Sequence, residues 1–155
     1  MDVSPLDQIK IQAQVLIPLV KALREEMGEE KANDLVRGVL GDLYRKYGAS
    51  YWKRRQTETP NEKLVRLWEM YATGDALDYD VVENDSKSFD LDIRRCSYAE
   101  FFKKLGEPEL GFLLCCSNDG PMTEGFGADV ELEVKQTLMQ GASHCEFRYQ
   151  IDRES

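Results

Sequence analysis

The run Phe89-Asp90-Leu91-Asp92-Ile93-Arg94-Arg95-Cys96 is where this chain stops reading as helices. Phe89, Leu91 and Ile93 alternate with Asp90, Asp92 and Arg94, the two-residue period of a strand with one buried face. Just upstream, residues 77–82 form a second strand-like run, joined to the first by the turn composition Glu83-Asn84-Asp85-Ser86. The pair therefore reads as two neighbouring strands that open the second half of the chain.

Everything before Gly74 has helical texture. Ser4-Pro5 fits an N-cap followed by proline at the first helical position. From there Leu6, Ile9, Ala13, Leu16, Ile17, Val20 and Leu23 recur at helical spacing up to Gly28, with Pro18 expected to kink the helix. A second helix begins near Glu29, with Ala32, Leu35, Val36, Val39, Leu40, Leu43 and Tyr47 as its apolar stripe and Gly48 ending or loosening it. Thr59-Pro60-Asn61-Glu62 starts a third, with Leu64, Leu67, Trp68 and Tyr71 inward and Gly74 as its C-cap.

Downstream, residues 98–105 and 108–117 read as short helices. Asn118-Asp119-Gly120-Pro121 and Gly125-Phe126-Gly127 read as a long turn-rich connection. Val130, Leu132, Val134 and Leu138 suggest a third strand, and Cys145, Phe147, Tyr149 and Ile151 the inner face of a fourth. The expected fold class is α+β in a single domain, 1–155. A helical N-terminal half of about three helices (1–75) packs on a mostly antiparallel sheet of about four strands with inserted short helices (76–152).

Composition narrows the function. At 155 residues with 42% hydrophobic and 32% charged residues, the chain has the make-up of an ordinary globular domain. No apolar run approaches the roughly 18 residues of a membrane span, and the N-terminus lacks the pattern of a secretory signal. The expectation is a cytoplasmic protein whose four cysteines stay reduced. The net charge of −9 is uneven: residues 1–58 balance at +1 and residues 59–155 at −10. An acidic surface repels a phosphate backbone, so nucleic acid is not an expected partner, and neither is a membrane. Homo-oligomer formation stays open.

Thiols, one imidazole and a carboxylate are the chemistry on offer. Cys96, Cys115, Cys116 and Cys145 include no CxxC pair, so the zinc-ribbon and thioredoxin signals are absent. Cys115 and Cys116, neighbours on an expected helix, would point about 100° apart. Free cysteine is also often a core residue. In the last strand Cys145 shares the apolar face, while His144, Glu146 and Arg148 point the other way, which disfavours a His144–Cys145 dyad. Arg148 could grip a substrate carboxylate through its planar fork or pair with a neighbouring carboxylate of its own sheet. Asp119 stands three residues after Cys116, close enough to polarise water, yet Asn-Asp-Gly is also an ordinary turn sequence.

The order of the motifs is familiar. Arg95-Cys96-Ser97-Tyr98-Ala99-Glu100, Leu105-Gly106-Glu107-Pro108-Glu109-Leu110-Gly111, Cys116-Ser117-Asn118-Asp119 and Thr137-Leu138-Met139-Gln140-Gly141-Ala142-Ser143-His144-Cys145-Glu146-Phe147-Arg148 occur in succession. Together they resemble the bacterial L-2-amino-thiazoline-4-carboxylic acid hydrolase family, and Ile17-Pro18-Leu19 and Met27-Gly28-Glu29-Glu30-Lys31-Ala32 extend the likeness toward the N-terminus. The resemblance implies a hydrolase that opens a C–N or C–S bond of a small cyclic amidine-like or amide-like substrate. It places Cys96, Cys116, Asp119 and Cys145 at characteristic positions, with His144 nearby and Lys135, Thr137 and Arg148 as substrate-binding residues. Glu146 stands where the family pattern has Asp, and Lys135 where it has Arg.

Three routes fit that implication: a cysteine thiolate attacking the amidine carbon, Asp119 as general base on water, or a zinc-bound water held by the thiols with Asp119 or His144. No cofactor is otherwise expected. The competing class is a non-catalytic small-ligand or metal-sensing module, since the Gly141 to Phe147 segment also resembles the end of 4-vinyl reductase-type domains.

Overall fold

The computed structural model describes residues 2–152. Helix α1 spans Pro5–Met27, and the Ser4 hydroxyl accepts from the Asp7 backbone N–H to cap it. Helix α2, Glu29–Lys53, follows after one residue. Gly28 makes that abrupt reversal, ending α1 and starting α2 at φ 89°, a backbone angle that suits glycine. Helix α3, Pro60–Tyr71, opens with a capping box: Thr59 Oγ1 accepts from the Glu62 N–H, and the Glu62 carboxylate accepts from the Thr59 N–H.

Strands β1 (Leu77–Asn84) and β2 (Ser88–Cys96) form a hairpin, and β3 (Val130–Gln136) and β4 (Cys145–Ile151) complete a sheet of order β1-β2-β4-β3. Every neighbouring pair is antiparallel. Between β2 and β3 the chain leaves the sheet to build α4 (Ser97–Lys104), α5 (Pro108–Leu114) and α6 (Asp119–Phe126). The fold is α+β, a helical N-terminal half preceding the strands.

The sheet has one dry face. Phe89, Leu91 and Ile93 on β2 and Cys145, Phe147, Tyr149 and Ile151 on β4 are all buried, matching the period read from the sequence. They pack with Leu64, Leu67 and Trp68 of α3 into the main core. A second cluster joins α1 and α2 to α4 and α5 through Val20, Val36, Phe102 and Leu110. Among the described residues no helix is long and apolar enough to cross a membrane.

Helix α1 continues through Pro18, which lies on its exposed side where water can satisfy the carbonyl left without a donor. Three expectations need correcting. Gly48 neither ends nor loosens α2. It is buried in mid-helix because the Met122 carbonyl of α6 presses against it, leaving no room for a Cβ. That close approach also turns α2 relative to the expected stripe: Ala32, Val36 and Tyr51 are buried, whereas Leu35, Val39, Leu43 and Tyr47 are exposed. Residues 119–126 are helical and not a loop, because Pro121 sits at the third position of α6, where its missing N–H is one that no intrahelical acceptor would reach.

Candidate functional site

The inner face of the sheet and the helices above it form a partly open cavity of about 70 Å³. Its floor is the Cys145 and Phe147 end of β4 with Ile93 of β2. Its walls are the rings of Tyr44, Trp68, Tyr71 and Tyr98, and Cys96, Cys115, Cys116, Asp119 and Thr137 open onto it. A much larger groove between α1, α2 and α3 shares Ile9, Tyr44 and Tyr71 with the cavity, so the two adjoin at these three side chains.

Each thiol arrives by a different route. Cys96 ends β2 and caps α4, its sulfur accepting from the Ala99 N–H at 3.4 Å. Cys145 begins β4 and its sulfur accepts from the Leu138 N–H at 3.2 Å. Cys115 and Cys116 lie at a break. Helix α5 ends at Leu114, Cys115 takes φ −123° and ψ −71°, and a 3₁₀ turn over Cys116–Asn118 leads into α6. The expectation of a continuous helix through both cysteines is therefore corrected. The break lets both neighbours reach one cavity. Asn118 braces this break by donating from Nδ2 to the Leu114 carbonyl at 2.9 Å.

Asp119 is the first residue of α6. Protein surrounds its carboxyl, and its remaining accessible surface opens to the cavity. No hydrogen bond to that carboxyl forms among the described residues, and burial alone pushes it up to about 7. A carboxylate at a helix N-terminus gains from the macrodipole, which here acts against the dry surroundings.

Burial also raises Cys96, Cys116 and Cys145. Cys96 is pushed up to about 12 by desolvation, against a partly offsetting backbone hydrogen bond. Cys116 is held well above the ordinary thiol value by its hydrogen bond with Cys115 and by burial. Desolvation raises Cys145, with the Leu138 N–H opposing. Tyr44, Tyr71 and Tyr98 are raised by burial first, so all three keep their protons at neutral pH. Among the described residues no lysine, arginine or histidine lines the cavity to draw out a thiolate.

The expected substrate-binding residues divide. Thr137 reaches the cavity, but its hydroxyl is engaged in a tight turn, donating to Gln140 Oε1 at 3.0 Å and accepting from the Gln140 N–H. His144, Lys135 and Arg148 lie away from it, because strand parity sends them to the opposite face from Cys145. His144 pairs with Glu146 at 3.0 Å and with Ser143 Oγ at 2.8 Å. Arg148 sits among acids of its own sheet, 2.9 Å from Asp92 and 3.9 Å from both Asp90 and Glu146, and donates to the Leu91 carbonyl. Replacing Arg148 with Met should lower stability by about 1–3 kcal/mol, since three half-buried carboxylates lose their shared cation. Chemical denaturation measures that loss, and the reactivity of the cavity thiols should stay unchanged.

Residues that sequence reasoning did not assign to the site are Tyr44, Trp68, Tyr71, Tyr98 and Cys115. Tyr98 stood inside a quoted motif. Tyr44 gave no signal, because the apolar arc of α2 is wider than the part it buries. Among the described residues no group of three or more His, Cys, Asp or Glu is arranged to hold a metal ion.

Comparison with known proteins adds two findings. The solved structure of the phenol-responsive sensory domain of the transcription activator PoxR, determined with phenol, aligns with a TM-score of 0.56 at 11% identity, covering 88% of this chain and 73% of that one. At this identity the likeness is one of fold. No curated protein matches the sequence significantly. A sequence model of the L-2-amino-thiazoline-4-carboxylic acid hydrolases matches residues 8–149, nearly the whole described chain and all of the cavity. The chain belongs to the L-2-amino-thiazoline-4-carboxylic acid hydrolase family.

Proposed function

We propose that this chain hydrolyses a small ring with an amidine-like or amide-like carbon, and that Asp119 is the general base on water. The observation that carries the reading is the Asp119 carboxyl, unpaired among the described residues, facing the cavity and pushed up to about 7. A base titrating near neutral pH has the best compromise between being ionised and accepting a proton strongly.

The steps follow from that placement. Ionised Asp119 takes a proton from water as the water oxygen bonds to the electrophilic ring carbon. The same carboxyl then returns that proton to the departing ring nitrogen or sulfur, and the ring opens. Tyr44 keeps its proton and makes no hydrogen bond among the described residues, so its hydroxyl is the donor available to the charge that develops. The thiols serve as walls, because none has a cation beside it in the cavity and Cys96, Cys116 and Cys145 are all raised.

A thiolate route instead needs Asp119 to strip Cys116 first. Rates of ring opening in Cys96→Ser, Cys116→Ser and Cys145→Ser separate the two. Each variant should keep at least about a tenth of the wild-type rate, and the rate should rise with pH through one group near 7. Loss of all turnover in Cys116→Ser, with turnover kept in Cys96→Ser and Cys145→Ser, would make Cys116 the nucleophile.

One observation favours a second reading, that of a small-ligand sensing module. The cavity is small and apolar-walled, and the similar fold belongs to a phenol-responsive domain. Saturable binding of the ring, with no product after prolonged incubation, would favour that module over the hydrolase.

A further inference from the structure

We infer that this chain pairs with a second copy of itself through the outward face of α1 and α2, and that the pair covers the groove adjoining the cavity. The inference goes beyond the hydrolase reading and does not rest on it. It starts from an apolar face that the fold leaves uncovered. On α1, Ile11, Val15 and Leu19 stand four residues apart, each more than half exposed. On α2, Leu35, Val39, Leu43 and Tyr47 repeat that spacing and are exposed too. Because the chain reverses at Gly28, Leu19 comes level with Leu35 and Val39, and Ile11 with Leu43 and Tyr47. Ile11, Val15, Leu43 and Tyr47 edge the groove, and the less exposed Leu16 and Leu40 form its floor.

The face has the size of an interface. These seven side chains together present on the order of 600 Å² of apolar surface, the upper end of what a monomer carries. Each partner in a standard interface gives about 800 Å², somewhat over half of it apolar. Rows of side chains four apart are also the ridges that interleave when helices pack. Two such hairpins meeting about a two-fold axis bury both faces in one four-helix layer.

Charge identifies the occupant. The chain carries −9 in all, yet residues 1–58 balance at +1 and residues 59–155 at −10. Two copies therefore repel each other least when they meet through their N-terminal halves. Within that half, the exposed residues Gln8, Ile11, Val15, Pro18, Leu19 and Ala22 make the outward side of α1 uncharged. Lys10, Lys21 and Arg24 turn the other way, to the Phe101 ring and to the Glu107 and Glu109 carboxylates. Along α2, Asp34 pairs with Arg37 and Asp42 with Arg45. An anionic membrane would call for a basic cluster on this side of α1, whereas a neutral face suits a like copy. The groove meets the cavity at Ile9, Tyr44 and Tyr71, so the second copy also lies across that side of the site.

Sedimentation equilibrium of the full chain over roughly 1–200 µM tests this, since pairing follows mass action. The wild type should reach twice the mass of one chain. Val15→Glu and Val39→Glu each place an unpaired carboxylate in the interface, so each should weaken pairing by at least about 100-fold. Both should keep the circular-dichroism spectrum of the wild type, because neither side chain is in the core. Val82→Glu, at an exposed valine of the edge strand β1, should stay paired. A wild type that is monomeric at every concentration overturns the inference. Pairing that survives both helix variants, or that is lost only in Val82→Glu, overturns it as well. So do assemblies that keep growing with concentration, which a closed two-fold contact forbids.

Discussion

Asp119→Asn should abolish ring opening, by at least about 100-fold in rate, and at the same time make the protein more stable above pH 7. The two effects share one cause. Burial raises the folded-state carboxyl from 3.8 to about 7, so the native chain holds a proton that the unfolded chain releases between those values. Stability from this group is therefore greatest below about pH 4, falls as pH rises toward 7, and stays at its lowest level above that. The full effect is on the order of 4 kcal/mol at most, from the size of the shift. Asparagine has no charge to desolvate but still buries an amide, so a net gain of about 1–3 kcal/mol is expected at pH 8.5, or roughly 3–8 °C in Tm. Near pH 4 the gain should vanish. Thermal unfolding of both proteins across pH 4–9 measures it, and a gain that is flat with pH would mean that Asp119 is not desolvated in the folded state.

Gly48→Ala should be the most damaging small substitution in α2, costing at least about 3 kcal/mol, while Gly38→Ala in the same helix should stabilise by about 0.5–1 kcal/mol. Both are mid-helix glycines, and propensity alone favours alanine at each. They differ in what the new methyl meets. At Gly38 nothing lies within 4 Å. At Gly48 the methyl would overlap the Met122 carbonyl, and Gly125 of α6 makes the reciprocal approach to the Arg45 carbonyl. These contacts are backbone on backbone and cannot yield by a rotamer change. Separating the helices would shift α6, and with it Asp119 at its first position. Denaturant unfolding of the two variants should give opposite signs. Equal signs would show that α6 does not pack on α2 this closely.

The exposed face of α2 illustrates why the sequence could not finish the argument. Leu35, Val39, Leu43 and Tyr47 have the same helical spacing as Ala32, Val36 and Leu40, and nothing in the pattern says which arc is covered. The strands were easier. Their period is two, so burial of one face is settled once a single residue is known to be inside, and Cys145 and His144 separate accordingly.

By itself the sequence determined the α+β layout, the three N-terminal helices, the inner residues of β2 and β4, and the set of cysteines with Asp119. Local physics suffices for these, because caps, turn residues and hydrophobic periods act over a few positions. Only the tertiary structure decided that residues 119–126 are helical, that α5 breaks at Cys115, and that five aromatic rings join four thiols around one carboxyl. Those outcomes depend on non-local contacts: an α2–α6 approach through glycines, and a cavity wall drawn from every part of the chain. The same contacts put Arg148 and Lys135 behind the sheet, leaving Asp119 to face the cavity with no cation lining it among the described residues.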